Sequence, residues 1–265
     1  MKLATGIKLL WKKWFSRNES ELASYTLADK LCGWLYPKYK FSEYSRSWLS
    51  DEEFFRYYER FHGRDNYHSA DRKFFLKNLL RLVDELPGDT AECGVYQGAS
   101  SYLICKHFRG QGKRHAVFDS FEGLSEPGEA DGTHWTAHQF TVEEQTVRNN
   151  LAEFDCAEFY RGWIPDSFRH VQDRQFCFVH IDVDLYQPTI DAVRFFYDRT
   201  VAGGIVLCDD YGFDGCPGAR QAIDELLRDK PEAVVEVPTG QAFFVKRGEP
   251  LDRRTRGKPG DKDDA

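Results

Sequence analysis

The sequence predicts an α/β protein: a seven-stranded, mostly parallel sheet with its last strand antiparallel, preceded by a helical extension. Three observations carry this reading. From Asp89 onward, short apolar runs alternate with amphipathic ones, and strand–helix alternation builds a parallel sheet covered by helices on both faces. The last two strand-like runs are separated by little more than "TGQ", a hairpin length that joins antiparallel neighbours. The region before about residue 65 lacks this alternation and instead carries aromatics at helical spacing.

Taken in order, "MKLATGIKLLWKKWFSR" places Leu3, Ile7, Leu10, Trp11 and Trp14 on one helical face, while Lys2, Lys8, Lys12, Lys13 and Arg17 give the rest a basic character. Such a helix suits packing on its own domain or on a second subunit, and it also suits peripheral contact with an anionic inner-membrane surface. It is too short and too charged for a signal peptide. Helical sequence is interrupted at Pro37, and "DEEFFRYYERF" sets Phe54, Tyr57, Tyr58 and Phe61 at helical spacing, as a core or dimer contact would. Residues 1–65 are therefore read as an extension favouring a homo-oligomer. "ADRKFFLKNLLRLVDEL" is a further amphipathic helix, stopped by Pro87-Gly88. The expected strands are "DTAECGVY", "RHAVFDS", "AEFYRGW", "QFCFVHIDVDL", "GGIVLCDDY", "AVVEVP" and "AFFVKR". "SSYLICKHF", "VEEQTVRNNLAEF", "PTIDAVRFFYDRT" and "GARQAIDELLRD" supply helices between them. Residues 66–248 form this domain, and the charged stretch 249–265, without apolar period, is expected to be disordered.

With 265 residues, 41% hydrophobic and 15% aromatic, the chain can bury a large core. A net charge of −7 speaks against nucleic acid as a partner, since phosphate binding needs a basic surface. Seven scattered cysteines with no CxxC pair sit mostly in apolar runs and read as small buried hydrophobes. Their odd number, with no evident cleavable signal, favours a reducing cytoplasm. No apolar run approaches the roughly 18 residues of a membrane-spanning helix.

The chemistry concentrates at strand ends. "AECGVYQGASS" has the strand–glycine–helix order that cradles nucleotide-like ligands. Gly94 and Gly98 are spaced GxxxG rather than GxGxxG, which disfavours a pyrophosphate ligand; tight turns alone would also explain them. Asp119 ends the second strand, where an acid takes ribose hydroxyls, although it or Ser120 could equally cap a helix. "HIDVDLYQPT" sets Asp182 and Asp184 two positions apart, hence on one face if the strand continues. "CDDYG" ends the next strand with Asp209 and Asp210. Parallel strands bring all four carboxylates to one edge, where mutual repulsion and desolvation call for a cation. Oxygen-only donors suit Mg²⁺ or another divalent ion, though one or two of the aspartates could instead cap helices. Asp209 and Asp210, being adjacent, can both face one ion only if the strand has ended. His180 is read as pointing to the opposite face, a satisfied structural residue. "SEPGEADGTHWTAHQF" is long and polar; it reads either as a lid over an acceptor, with His134 or His138 in contact, or as a plain surface loop.

Together, "AECGVYQGASS", "FDSFEGL", "RGWIPD", "HIDVDLYQPT", "CDDYG", "GARQAIDE" and "PTGQAFFVK" resemble the macrocin O-methyltransferase family from about Phe74 to Lys246. The pair IDxDLY and DDYG is the specific part. The resemblance implies a Rossmann-like class I methyltransferase fold that uses S-adenosylmethionine and a divalent metal to methylate a hydroxyl of a sugar-like small molecule or glycan. It implies Glu92, Gly94, Tyr96, Gly98 and Ser100 beside the cofactor, Asp119 on its ribose, and Gly162 and Trp163 near its adenine. Asp182, Asp209 and Asp210 would hold the metal; Asp184 would be the general base, with Asp182 beside it in the catalytic pair. Two rivals remain. A nucleotide-dependent oxidoreductase is disfavoured by the missing GxGxxG. A non-catalytic protein docked to a membrane-bound glycan-assembly complex is opposed by the intact Glu92, Asp119 and aspartate cluster.

Overall fold

The computed structural model describes residues 3–15, 20–35, 47–62 and 69–248. The expectations for Lys2, Arg17, the interruption at Pro37 and the tail from 249 lie outside these residues. Two compact units divide between Phe74 and Phe75.

In the first unit, α1 (Leu3–Phe15) packs against α2 (Ser20–Leu35). The short α3 (Ser47–Ser50) leads into α4 (Glu52–Phe61). α4 starts where its sequence dictates: the Asp51 side chain accepts the Phe54 amide at 2.9 Å, satisfying an otherwise orphaned first-turn donor. Phe54, Tyr57 and Phe61 are its buried face, and Phe54 meets Phe74 edge-on at 5.1 Å between ring centroids. α5 (Ala70–Leu80) spans the division between the units. It ends before the Pro87-Gly88 signal, because Leu82 and Val83 bond back three residues to Leu79 and Leu80 and the chain tightens into turns.

The second unit is the predicted sheet. Its strands are β1 (Asp89–Cys93), β2 (His115–Asp119), β3 (Ala157–Arg161), β4 (Phe176–Ile181), β5 (Thr200–Cys208), β6 (Val235–Glu236) and β7 (Ala242–Val245). They lie in the order β3-β2-β1-β4-β5-β7-β6. β1 through β5 pair in parallel, and β7 runs antiparallel to both β5 and β6, as hairpin connection requires. Four helices follow strands: α6 (Ala99–His107), α7 (Glu144–Asn150), α8 (Tyr186–Tyr197) and α9 (Pro217–Leu227). Every residue of β4 is buried, as the continuous apolar run "FCFVHI" demands of a central strand. Phe118, Phe168, Phe176 and Phe196 interlock beside it, their centroids 5.0–6.1 Å apart. The sheet thereby fixes the carboxyl ends of β1, β2, β4 and β5 along one edge.

Candidate active site

β4 ends at Ile181, so Asp182 and Asp184 do not share a strand face as their spacing suggests. Asp182 still bonds its amide to the Cys93 carbonyl at 2.9 Å, and the chain then turns. Leu185 donates to the Val183 carbonyl, a three-residue turn with Asp184 at its apex and φ at +58°. Aspartate tolerates this left-handed conformation better than most residues, but the backbone remains strained there. The Asp210 carboxylate braces the turn by accepting the Asp184 amide at 3.0 Å. β5 also stops one residue short of Asp209, which frees Asp209 and Asp210 to face a common point. Ligand atoms of Asp182, Asp209 and Asp210 all lie within 4.8 Å of one another, and so do those of Asp184, Asp210 and Cys216.

Gly94 shows why the β1 turn needs glycine. Its φ is +80°, and a Cβ there would stand 1.8 Å from the Asp182 carbonyl oxygen. The glycine is thus required by the crossing of two site loops, in addition to any ligand approach. Gly98, at φ +89°, caps α6, whose second residue is the buried Ser100. Tyr96 sits between these glycines with its ring 5.6 Å from Phe140. Asp119 closes the turn from β2: Oδ2 accepts the Val95 and Tyr96 amides, and Oδ1 accepts that of Phe121 at 2.7 Å. Burial pushes this carboxyl up, against the three amides. A carboxylate has about four acceptor positions, so Oδ1 keeps capacity for a hydroxyl. Gly162 donates to the Asp119 carbonyl at 2.9 Å, and the adjoining Trp163 is 41% exposed. Nearby, a cleft of about 500 Å³ opens between Phe121, Arg161 and the first turn of α7; it lies on the Trp163 side of the edge rather than over the aspartates.

Glu92, near the end of β1, is buried in a polar network. It is 1% exposed, with one oxygen accepting from Ser101 and the other 2.9 Å from His180 Nδ1. His180 is not turned away from the acidic side, since it lies two positions before Asp182 and its Nε2 reaches Asp209 Oδ1 at 3.1 Å. Burial alone would push the His180 imidazole down, but bonds to Asp209 and Glu92 reverse this and raise it to about 10. Burial likewise pushes the Glu92 carboxyl up, and the hydrogen bond and charge of His180 outweigh that and hold it low. Both imidazolium nitrogens therefore donate. The network extends in both directions: Gln241, opening β7, also donates to Asp209, while Ser101 lies 2.9 Å from His115 Nε2 and His115 Nδ1 lies 2.8 Å from Thr90. Since Ser101 gives its proton to Glu92, it accepts from His115 Nε2–H, leaving Nδ1 to accept from the Thr90 hydroxyl. A buried polar chain thus crosses β2, β1, β4, β5 and β7 beneath the site. Sequence reading missed Ser101, His115 and Gln241. A lone polar residue in an apolar run carries no sign of its partner, although Glu92 and His180 are register neighbours on β1 and β4.

The long loop is pinned at its neck, where Leu124 and Gln139 and then His138 and Leu124 exchange backbone bonds of 2.9 Å. His138 bonds to the Glu122 carbonyl there, away from the aspartates. Asp131, 4% exposed, docks the middle of the loop. Its Oδ2 accepts the Gly128 amide at 2.7 Å and its Oδ1 the Tyr186 amide at 2.6 Å. The second bond caps α8, whose own N-cap residue Leu185 has no capping side chain. Beyond Asp131, Trp135 packs among His134, Phe140 and Phe213. Its indole N–H reaches Cys216 Sγ at 3.2 Å, and Cys216 in turn donates to Asp184 Oδ1 at 3.4 Å. Burial and the charges of Asp210 and Asp184 push the Cys216 thiol up, so it stays protonated and able to donate.

The donor set answers what the edge can hold. Three convergent carboxylates offer oxygen alone, and the His180 imidazolium is already shared between Glu92 and Asp209; the cluster fits a hard divalent cation. The turn from Gly94 to Gly98, Asp119 with its remaining acceptor position and exposed Trp163 fit a nucleoside-bearing cofactor. Fold and edge together are those of a Rossmann-like α/β domain with its ligand edge at the strand ends. Residues 74–237 match the family model described as macrocin-O-methyltransferase, and the chain belongs to that family. A tetracenomycin-C rhamnosyl 4'-O-methyltransferase from Streptomyces olivaceus is 33% identical over 154 residues, 52% of this chain and 58% of that protein. This chain therefore matches rather more than half of that relative's length. Demethyldecarbamoylnovobiocin O-methyltransferase from Streptomyces niveus is 30% identical over 186 residues, 62% of this chain and 70% of the relative. Among solved structures, the O-methyltransferase NovP superposes with a TM-score of 0.60 at 24% identity, covering 69% of this chain and 84% of NovP. The calicheamicin methyltransferase CalS11 gives 0.55 at 18% identity, covering 91% of each; these two likenesses bear on the fold.

Proposed function

We propose that this protein transfers a methyl group from S-adenosylmethionine to a hydroxyl of a sugar-like acceptor, with Mg²⁺ or another divalent cation held by Asp182, Asp209 and Asp210. The observation that carries this reading is the convergence of those three carboxylates within 4.8 Å beside Asp184, held at φ +58°. When bound, S-adenosylmethionine supplies an electrophilic methyl and the cation a positive charge that acidifies the acceptor hydroxyl. Asp184 is the base that takes the hydroxyl proton as the new oxygen–carbon bond forms, and its strained turn holds the carboxylate in one direction. Asp119 and the turn from Gly94 to Gly98 orient the cofactor's ribose and methionine ends, with Trp163 on the adenine side. Trp135 and its aromatic neighbours exclude water from the acceptor. A sugar hydroxyl is favoured by the relatives, one of which is named for a rhamnosyl position and another for the 3'' position of mycinamicin III.

Calorimetric titration of S-adenosylmethionine, with and without Mg²⁺, tests the base of this reading. Binding at roughly micromolar Kd is expected, and no heat in either condition would overturn it. Asp184→Asn should retain that binding while slowing transfer to a rhamnoside acceptor by roughly 10²–10⁴-fold. An unchanged rate would remove Asp184 from the base role.

A further inference from the structure

The α1 helix turns its apolar side outward. Ile7, Leu10, Trp11 and Trp14 are 59, 45, 60 and 74% exposed, whereas Gly6 is buried. At 100° per residue these four side chains occupy an arc of about 100°, with Lys8 and Lys12 following round the helix on one side of it. α2, packed on α1, adds exposed Leu31, Trp34 and Leu35 toward its C-terminal end. Charge singles out α1 as well. In a chain of net charge −7, this helix contains Lys8, Lys12 and Lys13 and no acidic residue.

We propose that α1 docks on an anionic phospholipid surface, its indoles and aliphatic side chains entering the headgroup boundary and its lysines pairing with lipid phosphates. Tryptophan favours that boundary because its ring is apolar and its N–H remains hydrated. Lysines near such a surface each strengthen binding about fivefold. A second copy fits this face less well, because a two-fold contact sets the same patch against itself and opposes lysine to lysine. The negative charge of the remaining chain is repelled by the same surface, which confines contact to α1 and orients the protein on it. This reading is independent of the methyl-transfer assignment.

Flotation of the full-length protein with phosphatidylcholine vesicles, and with mixed phosphatidylcholine–phosphatidylglycerol vesicles, tests it. Binding is expected to the mixed vesicles alone, with a blue shift of tryptophan emission and a loss at high salt. Ile7→Glu and Trp14→Glu, both at exposed positions that tolerate charge, should each weaken binding at least tenfold, and Lys8→Gln about fivefold. Light scattering of the same variants without lipid reads the competing occupant. No binding to mixed vesicles overturns the proposal, as does binding that the α1 variants leave unchanged. A dimer that Ile7→Glu converts to monomer, with no vesicle binding by the parent, assigns the face to a second copy instead.

Discussion

Acid should destabilise this protein through His115 in particular. The side chain is 1% exposed and its pKa is pushed down to about 4, by burial first and by the neighbouring His180 charge, against the opposing pull of Glu92. An unfolded histidine titrates near 6.5. The folded value is the depressed one, so the neutral ring's contribution is fully present above about pH 6.5 and is lost as pH falls toward 4. At 1.36 kcal/mol per unit, linkage gives a loss of about 2 kcal/mol by pH 5 and about 3 kcal/mol by pH 4. Carboxylates held low, such as Glu92, also weaken the fold in acid, so the test is a difference. His115→Gln keeps a neutral donor toward Ser101 and has nothing to protonate. Urea unfolding of both proteins at pH 7, 6 and 5 should show the parent losing about 2 kcal/mol more than the variant. Parallel pH dependence in the two proteins would refute the buried neutral histidine and the tautomer derived from it.

Two further outcomes follow from the site loops. Gly94→Ala should cost roughly 3 kcal/mol or more, since the Cβ meets the Asp182 carbonyl at 1.8 Å and φ is +80°; a melting temperature equal to the parent's would contradict this. Asp131→Ala strips the acceptor from the Gly128 and Tyr186 amides and should cost about 0.5–2 kcal/mol, with faster proteolysis between residues 124 and 140, whereas an unchanged proteolytic rate would show the loop held by other contacts.

The sheet was legible because each strand is an apolar run bounded by turn residues, and because a short connection can only join antiparallel neighbours. The Asp209–Asp210 pair was legible for a related reason: adjacency forces a turn if both are to face one point, and β5 ends there. The Asp182–Asp184 pair misled, since a period of two describes a strand and says nothing of where the strand stops. His180 was placed on the wrong side against that same period, which puts residues 180 and 182 on one face. Its partners lie 88 and 29 residues away, and only strand order brings them together. Asp131 left no local trace, because the helix it caps begins 55 residues later.

The position of β7 has a consequence for how the protein is made. This strand comes last in the described chain yet is inserted between β5 and β6, and Gln241 at its start supplies one of the donors that hold Asp209. During vectorial synthesis, the amino-terminal strands can pair as they emerge. The acidic edge must wait, because β5 keeps an open flank and Asp209 lacks that donor until residue 245 has left the ribosome. The acidic edge is thus completed only after the sheet's parallel half, and chains stopping before β7 would carry that half with the edge unfinished.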